Sequence, residues 1–258
     1  MHLSKHPFFL ATGLCAALIL TGNSARADGL ADLKAALARL QGQTPLKAMV
    51  EVSTKNRSGE GKELEENSGH AAVSVEDGAR GLQILYGKEL LTKLESEEHA
   101  KEKDPKSKTP TLSALREFNS TELRPMISAA AGLARHMEKS IFKSEKVKDY
   151  NGKPARLLTF DIPLESIPEK DRKYIKKFEG SMDIWIGADG TPLASHTQIT
   201  TSGRAFVVIS FEAKNEEQTV YGVSGDRLIT VRKESKSSGS GAGEKGESQV
   251  TKTLQLQS

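Results

Sequence analysis

The sequence predicts an α+β fold in which a curved antiparallel β-sheet is covered by helices on one face. Three observations lead to this fold class. An amphipathic helix precedes the first strand, short strands follow one another through tight turns, and central strands are apolar on both faces. The chain has 258 residues, enough for one large domain or two small ones. Because it shows no internal repeat and no second composition regime, we expect a single domain over residues 28–258.

The charge balance and the cysteine count argue against several classes of protein. Lys and Arg number 37 against 34 Asp and Glu, a formal net charge of +3. The chain therefore lacks the cationic excess typical of nucleic-acid-binding proteins, and we expect no nucleic-acid partner. Its single cysteine, Cys15, cannot build a disulfide framework or a cysteine-ligated zinc site.

The first 27 residues read as a cleavable signal peptide. An almost unbroken apolar run covers residues 8–20, and thirteen helical residues reach only about 20 Å, short of a ~30 Å hydrocarbon core. Ala25-Arg26-Ala27 then supplies the small residues of a signal peptidase site, so we expect cleavage after Ala27. A lipidated Cys15 is disfavoured because Leu14 precedes it and because it lies within the apolar run. The sequence therefore predicts a periplasmic or secreted protein.

The mature chain begins with a helix that leads into a strand. The leucines of residues 28–41 recur at spacings of three and four, which places them on one helix face, and Gly42 and Pro45 end the helix. From Leu46 the apolar period changes to two, as in a strand. Further strands are expected at residues 71–75 and 82–86.

The middle of the chain is predicted to be helical. Residues 88–110 form a charged insert, which we interpret as a solvated helix fraying into a loop. Asn119 and Glu122 resemble a capping box, and the helix that they start is expected to continue through Met137, with Pro125 tolerated in its first turns.

The C-terminal half is predicted to be a series of antiparallel strands. Asn151-Gly152 is a strong hairpin signal, and Asp189-Gly190 and Gly225-Asp226 mark further turns. Residues 164–177 are polar and basic and suit a short helix, whereas the Gly/Ser-rich residues 235–248 suit a flexible loop. The expected strands are 141–150, 155–163, 181–187, 192–201, 204–213, 219–224, 227–233 and 250–256.

No catalytic or metal motif is present, so we expect a non-enzymatic protein without a cofactor. The four mature histidines have no metal-binding spacing, and neither a Gly-x-Ser-x-Gly motif nor a mature cysteine supplies a nucleophile. Asp161, Asp183 and Asp189 lie on or beside predicted strands, which leaves a glycosidase-like pair of carboxylates open as an alternative.

Two sets of residues are candidates for ligand binding. The first is the apolar central strands, whose two faces suggest a cavity on one side, although an ordinary core is the alternative. The second is a basic cluster that suits anionic lipid headgroups or an acidic protein partner, although a solvated helix face is the alternative. The predicted cavity lining is Ile184, Ile186, Val207, Ile209 and Phe211, with Trp185 and Phe206 on the alternative face. The basic cluster is Lys170, Arg172, Lys173, Lys176 and Lys177.

This layout resembles the periplasmic lipoprotein-carrier family, which includes LolA-like, LolB-like and lipoprotein-sorting proteins. The matching features are the exported start, the leucine-striped helix 28–41 before the strand at Leu46, and the segments Asp183-Ile184-Trp185-Ile186 and Asp189-Gly190-Thr191-Pro192-Leu193. The resemblance implies an incomplete, strongly curved antiparallel barrel with helices against its concave side.

The resemblance also implies a passive binding function. The expected ligand is a lipid, a lipoprotein acyl chain or another amphipathic molecule, bound by a monomer that makes peripheral contact with the membrane. The alternative is an envelope sensor or scaffold whose sheet is filled by its own helices and which binds an envelope protein partner through the basic cluster.

Overall fold

The computed structural model describes residues 28–205 and 209–257. The predicted signal peptide, with its cleavage after Ala27, lies outside these residues, as do the predicted lining residues Phe206 and Val207. The helices are α1 (Gly29–Arg39), α2 (Lys88–Lys103), α3 (Pro110–Leu115), α4 (Ser120–Ile127), α5 (Ala130–Glu138) and α6 (Glu169–Arg172). The strands are β1 (Leu46–Ser58), β2 (Glu65–Gly78), β3 (Gly81–Leu85), β4 (Ile141–Val147), β5 (Arg156–Asp161), β6 (Ile175–Ile186), β7 (Pro192–Ala205), β8 (Ile209–Ser224), β9 (Arg227–Gly241) and β10 (Glu244–Leu256).

All ten strands form one antiparallel sheet in the order β3-β2-β1-β10-β9-β8-β7-β6-β5-β4. The last strand, β10, lies between β1 and β9 and so joins the two halves of the sheet. The edge strands β3 and β4 are consecutive in the chain, and the segment that connects them contains α2 to α5. The α+β class and the antiparallel sheet are confirmed, while the curvature of an incomplete barrel stays a prediction.

The helices cover one face of the sheet in two apolar clusters. Leu33 of α1 and Leu133 of α5 pack with Leu158 of β5 and Ile184 of β6 in the first cluster. The second cluster joins the α3–α4 region to β1, β2 and β10, and its buried members include Phe118, Met126 and Val50. The residues that alternate with these on the strands form the opposite, polar face. One row across this polar face contains Ser53, Thr251, Glu234, Gln218, His196 and Asp183.

Several predicted elements are confirmed. Helix α1 begins after the N-cap Asp28, whose side chain accepts hydrogen bonds from the amides of Leu30 and Ala31. Asn151 and Gly152 both have positive φ angles, of 51° and 75°, as the predicted hairpin turn requires. Asn119 caps α4 by accepting from the Glu122 amide at 3.1 Å.

Four expected elements are wrong. Residues 219–224 are not a separate strand, because β8 covers Ile209–Ser224. Residues 235–248 are not a loop, because β9 extends to Gly241 and β10 begins at Glu244. The helix expected through Met137 ends at Ile127 and is followed by a separate helix, α5. The strand expected over residues 204–213 is divided, because β7 ends at Ala205 and β8 begins at Ile209.

Two aspartates in turns next to α1 have lowered pKa values, and we expect them to make the fold less stable in acid. Hydrogen bonds from Thr191, with a smaller effect of Arg39, hold the pKa of Asp189 below its usual 3.8. Hydrogen bonds from Thr44 likewise lower the pKa of Asp226. A carboxyl group whose pKa is lower in the folded state stabilises the fold above its unfolded pKa, and that contribution is lost as the pH falls.

We therefore expect the free energy of unfolding to decrease as the pH is lowered below about 4. Urea denaturation from pH 7 to pH 3 measures this decrease. In Asp189→Asn the decrease should be shallower, and an unchanged slope in this variant would contradict the role given to Asp189.

Candidate functional site

The structure does not bring the predicted lining residues together. Ile184 and Ile186 are 0% exposed in the first cluster, under α1 and α5. Through Ser195 of β7, the residue of β8 that lies level with Ile184 is Thr219. Phe211 is on the same face but eight residues earlier in β8, so roughly 27 Å of strand separates it from Thr219. Ile209 and Phe211 are partly exposed near the start of β8. The helices of the chain itself therefore fill the position expected for a cavity at Ile184 and Ile186.

Trp185 lies on the opposite face, as its alternation with Ile184 predicts. Its ring centroid is 5.9 Å from that of Tyr150, and the Lys148 ammonium lies 5.7 Å from the centre of the Trp185 ring. These contacts place the Trp185 ring beside the β4–β5 hairpin rather than in the helix-covered core.

Beyond the helices, the same face carries a second apolar surface that is partly exposed. Ile162 follows β5, donates its amide to Gly180 and packs against the edge of the first cluster. Gly180 pairs with Ile199, and Phe178 precedes it by two residues on the same face. Phe211 pairs with Gly203 one strand further along. We call Ile162, Phe178, Ile199 and Phe211 the apolar strip.

Two glycines allow chain segments to lie directly against the apolar strip. A Cβ at Gly180 would come within 2.8 Å of the Ile162 Cβ. A Cβ at Gly203 would lie 1.9 Å from the Tyr174 carbonyl oxygen and 2.9 Å from the Phe211 ring. The two ends of the segment from Ile162 to Tyr174 therefore approach the sheet closely at positions that lack a side chain.

The predicted basic cluster belongs to this segment and to the start of β6. Its four lysines are exposed, and none of its five cations forms an ion pair with any residue that the structure describes. The Lys173 ammonium lies 4.9 Å from the centre of the Tyr174 ring. Because the Tyr174 carbonyl contacts the Gly203 position beside Phe211, the cluster is at the border of the apolar strip. Glu169 and Asp171 lie in the same segment and moderate its positive charge.

The carboxylates considered for catalysis are distributed over the polar face and a turn. Asp183 accepts a hydrogen bond from Thr159 at 2.8 Å, and Asp161 pairs with Lys143 at 2.9 Å. Asp189 lies in the β6–β7 turn, 2.8 Å from Arg39. All three are thus engaged in local contacts, and catalysis by any of them stays a hypothesis.

His196 lies opposite Asp183 on the polar face. It contacts Glu216 at 3.1 Å, and this hydrogen bond lowers the pKa of Glu216. Glu216 is therefore held ionised, which does not suit a general acid. Within residues 28–205 and 209–257, no three or more acidic, histidine or cysteine residues are grouped to hold a metal ion.

Sequence reasoning missed two buried cations. The Lys252 side chain is 3% exposed and lies 2.9 Å from Glu117 and 2.6 Å from Glu122. Arg227, also 3% exposed, pairs with Asp77 at 2.5 Å. The signal for Lys252 was present in the sequence, because it occupies an inward position between Val250 and Leu254 in an alternating strand.

The chain matches no protein-family model, no curated protein and no solved structure. None of the helices in the described part of the chain has both the length and the apolar character needed to cross a membrane.

Proposed function

We propose that this protein is an exported, non-catalytic binding or carrier protein for an anionic amphipathic ligand, such as a lipid or a lipoprotein acyl chain. The observation that supports this proposal is the position of the apolar strip beside the basic cluster. An apolar surface suits an acyl chain, and cations that lack an ion-pair partner among the described residues suit an anionic headgroup.

In this proposal the apolar strip provides most of the affinity for the ligand, and the basic cluster determines which headgroup is preferred. Burial of an acyl chain contributes about 0.8 kcal/mol for each CH₂ group removed from water. A lysine or arginine close to an anionic lipid surface contributes about 1 kcal/mol, and salt weakens this contribution. Peripheral contact with a membrane through the same lysines is part of the proposal.

The strip also suggests how a longer chain is accommodated. Ile162 connects it to the first cluster, where α1 and α5 cover Ile184 and Ile186. An acyl chain that extends past Ile162 reaches the first cluster only if the helices that cover this cluster move away from the sheet. Ile184 and Ile186 would then contact the ligand only after the helices that cover them have moved.

A second candidate function is an envelope sensor or scaffold. The complete burial of Ile184 and Ile186 by the chain's own helices favours it, because a self-filled sheet needs no lipid. In this case the basic cluster binds a protein partner with an acidic surface.

Native mass spectrometry of protein exported to the periplasm and purified without detergent tests the proposal. We expect the wild-type protein to carry heterogeneous, lipid-sized additional mass that is absent after denaturation. Phe178→Thr combined with Phe211→Thr should lose most of this mass, since threonine suits a strand but removes the apolar surface. The matched control is Val223→Thr, an exposed position elsewhere on β8, which should retain the ligand.

If the wild-type protein carried no additional mass, or if the folded double variant retained all of it, the apolar strip would not be a lipid-binding surface. Changing Lys173, Lys176 and Lys177 to glutamate separates the two candidates. In a carrier this change should reduce the share of anionic lipids, whereas in a scaffold it should abolish partner capture without changing the lipid content.

A further inference from the structure

A cleft of about 820 Å³ with both polar and apolar walls lies at the other end of the sheet, away from the apolar strip. Its walls are the α1–β1 connection, the β2–β3 turn and the junction between α4 and α5. Three arginines line it, Arg124, Arg135 and Arg227, and Asp77 is the one acidic residue among its lining residues.

Arg227 is the buried member of this group. Its side chain is 3% exposed, and its Nη1 donates to Asp77 at 2.5 Å. Its Nε is buried and has no hydrogen-bond partner among the described residues. An unsatisfied donor on a buried charged group costs stability, so the protein leaves the charge of this cleft-lining guanidinium incompletely compensated.

Arg124 and Arg135 bring two further positive charges to the cleft. Arg124 shares one face of α4 with Thr121 and lies one turn before Ser128, and Arg135 shares one face of α5 with Ala131 and Gly132. Both arginines are exposed, and neither forms an ion pair within the part of the chain that the structure describes. The charge of the cleft is therefore not balanced by Asp77.

The N-terminus of α5 opens into the same cleft. This nine-residue helix starts after Ala129, and no side chain caps it. Ala131 and Gly132, in its first turn, line the cleft. First-turn amides without partners and the positive end of the helix dipole both favour an oxyanion.

We propose that this cleft binds the phosphate group of a small polar phosphate monoester. Arg124, Arg135 and Arg227 supply charge-assisted hydrogen bonds, and the α5 amides supply neutral ones. The volume exceeds that of a phosphate, and Gln41, Gln43 and Thr121 offer hydrogen bonds to the rest of the molecule. This site is independent of the apolar strip, so either proposal can fail while the other holds.

An NMR titration with inorganic phosphate at constant ionic strength tests the site. We expect saturable shifts of the Ala131 and Gly132 amides and of the arginine Nε–H signals, with a dissociation constant on the order of 1 mM. Arg124→Gln combined with Arg135→Gln should weaken binding by about tenfold or more. Lys101→Gln combined with Lys103→Gln removes the same charge from the exposed last turn of α2 and should leave binding unchanged.

Vesicles that contain phosphatidic acid, added without free phosphate, distinguish the source of the phosphate group. We expect them to leave the α5 amides unshifted. If vesicles alone shifted these amides, the ligand of the cleft would be a lipid headgroup and the proposed soluble monoester would be wrong. Absence of saturation, an equal response to chloride, or an equal loss in the α2 control variant would each overturn the proposed site.

Discussion

Replacing Glu117 and Glu122 together with glutamine is expected to lower the free energy of unfolding by about 3 kcal/mol. The reason is Lys252, whose ammonium is buried between these two carboxylates with its side chain 3% exposed. Without these carboxylates the buried ammonium has no counter-charge, which costs free energy. The expected value is at the lower end for a broken buried ion pair, because Glu117 and Glu122 remain 30% and 38% exposed.

Adding Lys252→Met to the double variant should restore most of the lost stability, since methionine fills the space without a charge. Urea denaturation of the wild type, the double variant and the triple variant measures the effect. Glu89→Gln, which breaks an exposed ion pair with Lys93 on α2, is the control and should leave the denaturation midpoint unchanged. If Lys252→Met did not restore stability, the loss would have to come from an effect of the two glutamines on α4 and not from the buried ammonium.

Phe160→Ala is expected to lower the free energy of unfolding by about 3–5 kcal/mol, because it leaves a cavity in the first cluster. Phe160 is 1% exposed and packs edge-to-face on Phe142, with ring centroids 5.6 Å apart. Phe178→Ala should cost only about 1–2 kcal/mol, because Phe178 is partly exposed at the apolar strip.

Thermal and urea denaturation of both alanine variants test this contrast, and ligand content should change in the opposite order. Phe160→Ala should keep its bound lipid as long as it folds, whereas Phe178→Ala should lose part of it. Equal destabilisation by the two substitutions would place Phe178 in the core and remove the main support for the strip as a binding surface.

The local pattern of the sequence was sufficient wherever a single element determined its own structure. The leucine stripe of α1, the Asn151-Gly152 turn and the Asn119 cap depend on residues close together in the chain, and the structure contains all three. The same holds for the antiparallel class of the sheet.

Errors arose where a distant partner decides the structure. Residues 235–248 have the composition of a loop, but β8 and β1 offer hydrogen-bonding edges that pair with them on both sides. The end of α4 before Ser128 coincides with docking on β9, where the Ala129 amide bonds to Leu228 and Thr230 bonds to Pro125. No local signal predicts such contacts.

The candidate site was predicted only in part for the same reason. Phe211 and the lysines of the basic cluster were named from the sequence, but their proximity depends on two glycines that let Ile162 and Tyr174 approach β6 and β7 closely. Ile184 and Ile186 are apolar, as the lining of a ligand cavity would be, and only the positions of α1 and α5 show that these residues are covered.

The position of β10 determines when the molecule can finish folding. Strands β1 to β3 and β4 to β9 have no pairing with each other except through this final strand. Until β10 pairs, the chain therefore has two incomplete sheets, in which the edges of β1 and β9 that β10 will occupy are open. Loss of β10 divides the sheet into units of three and six strands, so the pairing of β10 closes the sheet and protects two strand edges from pairing with another chain.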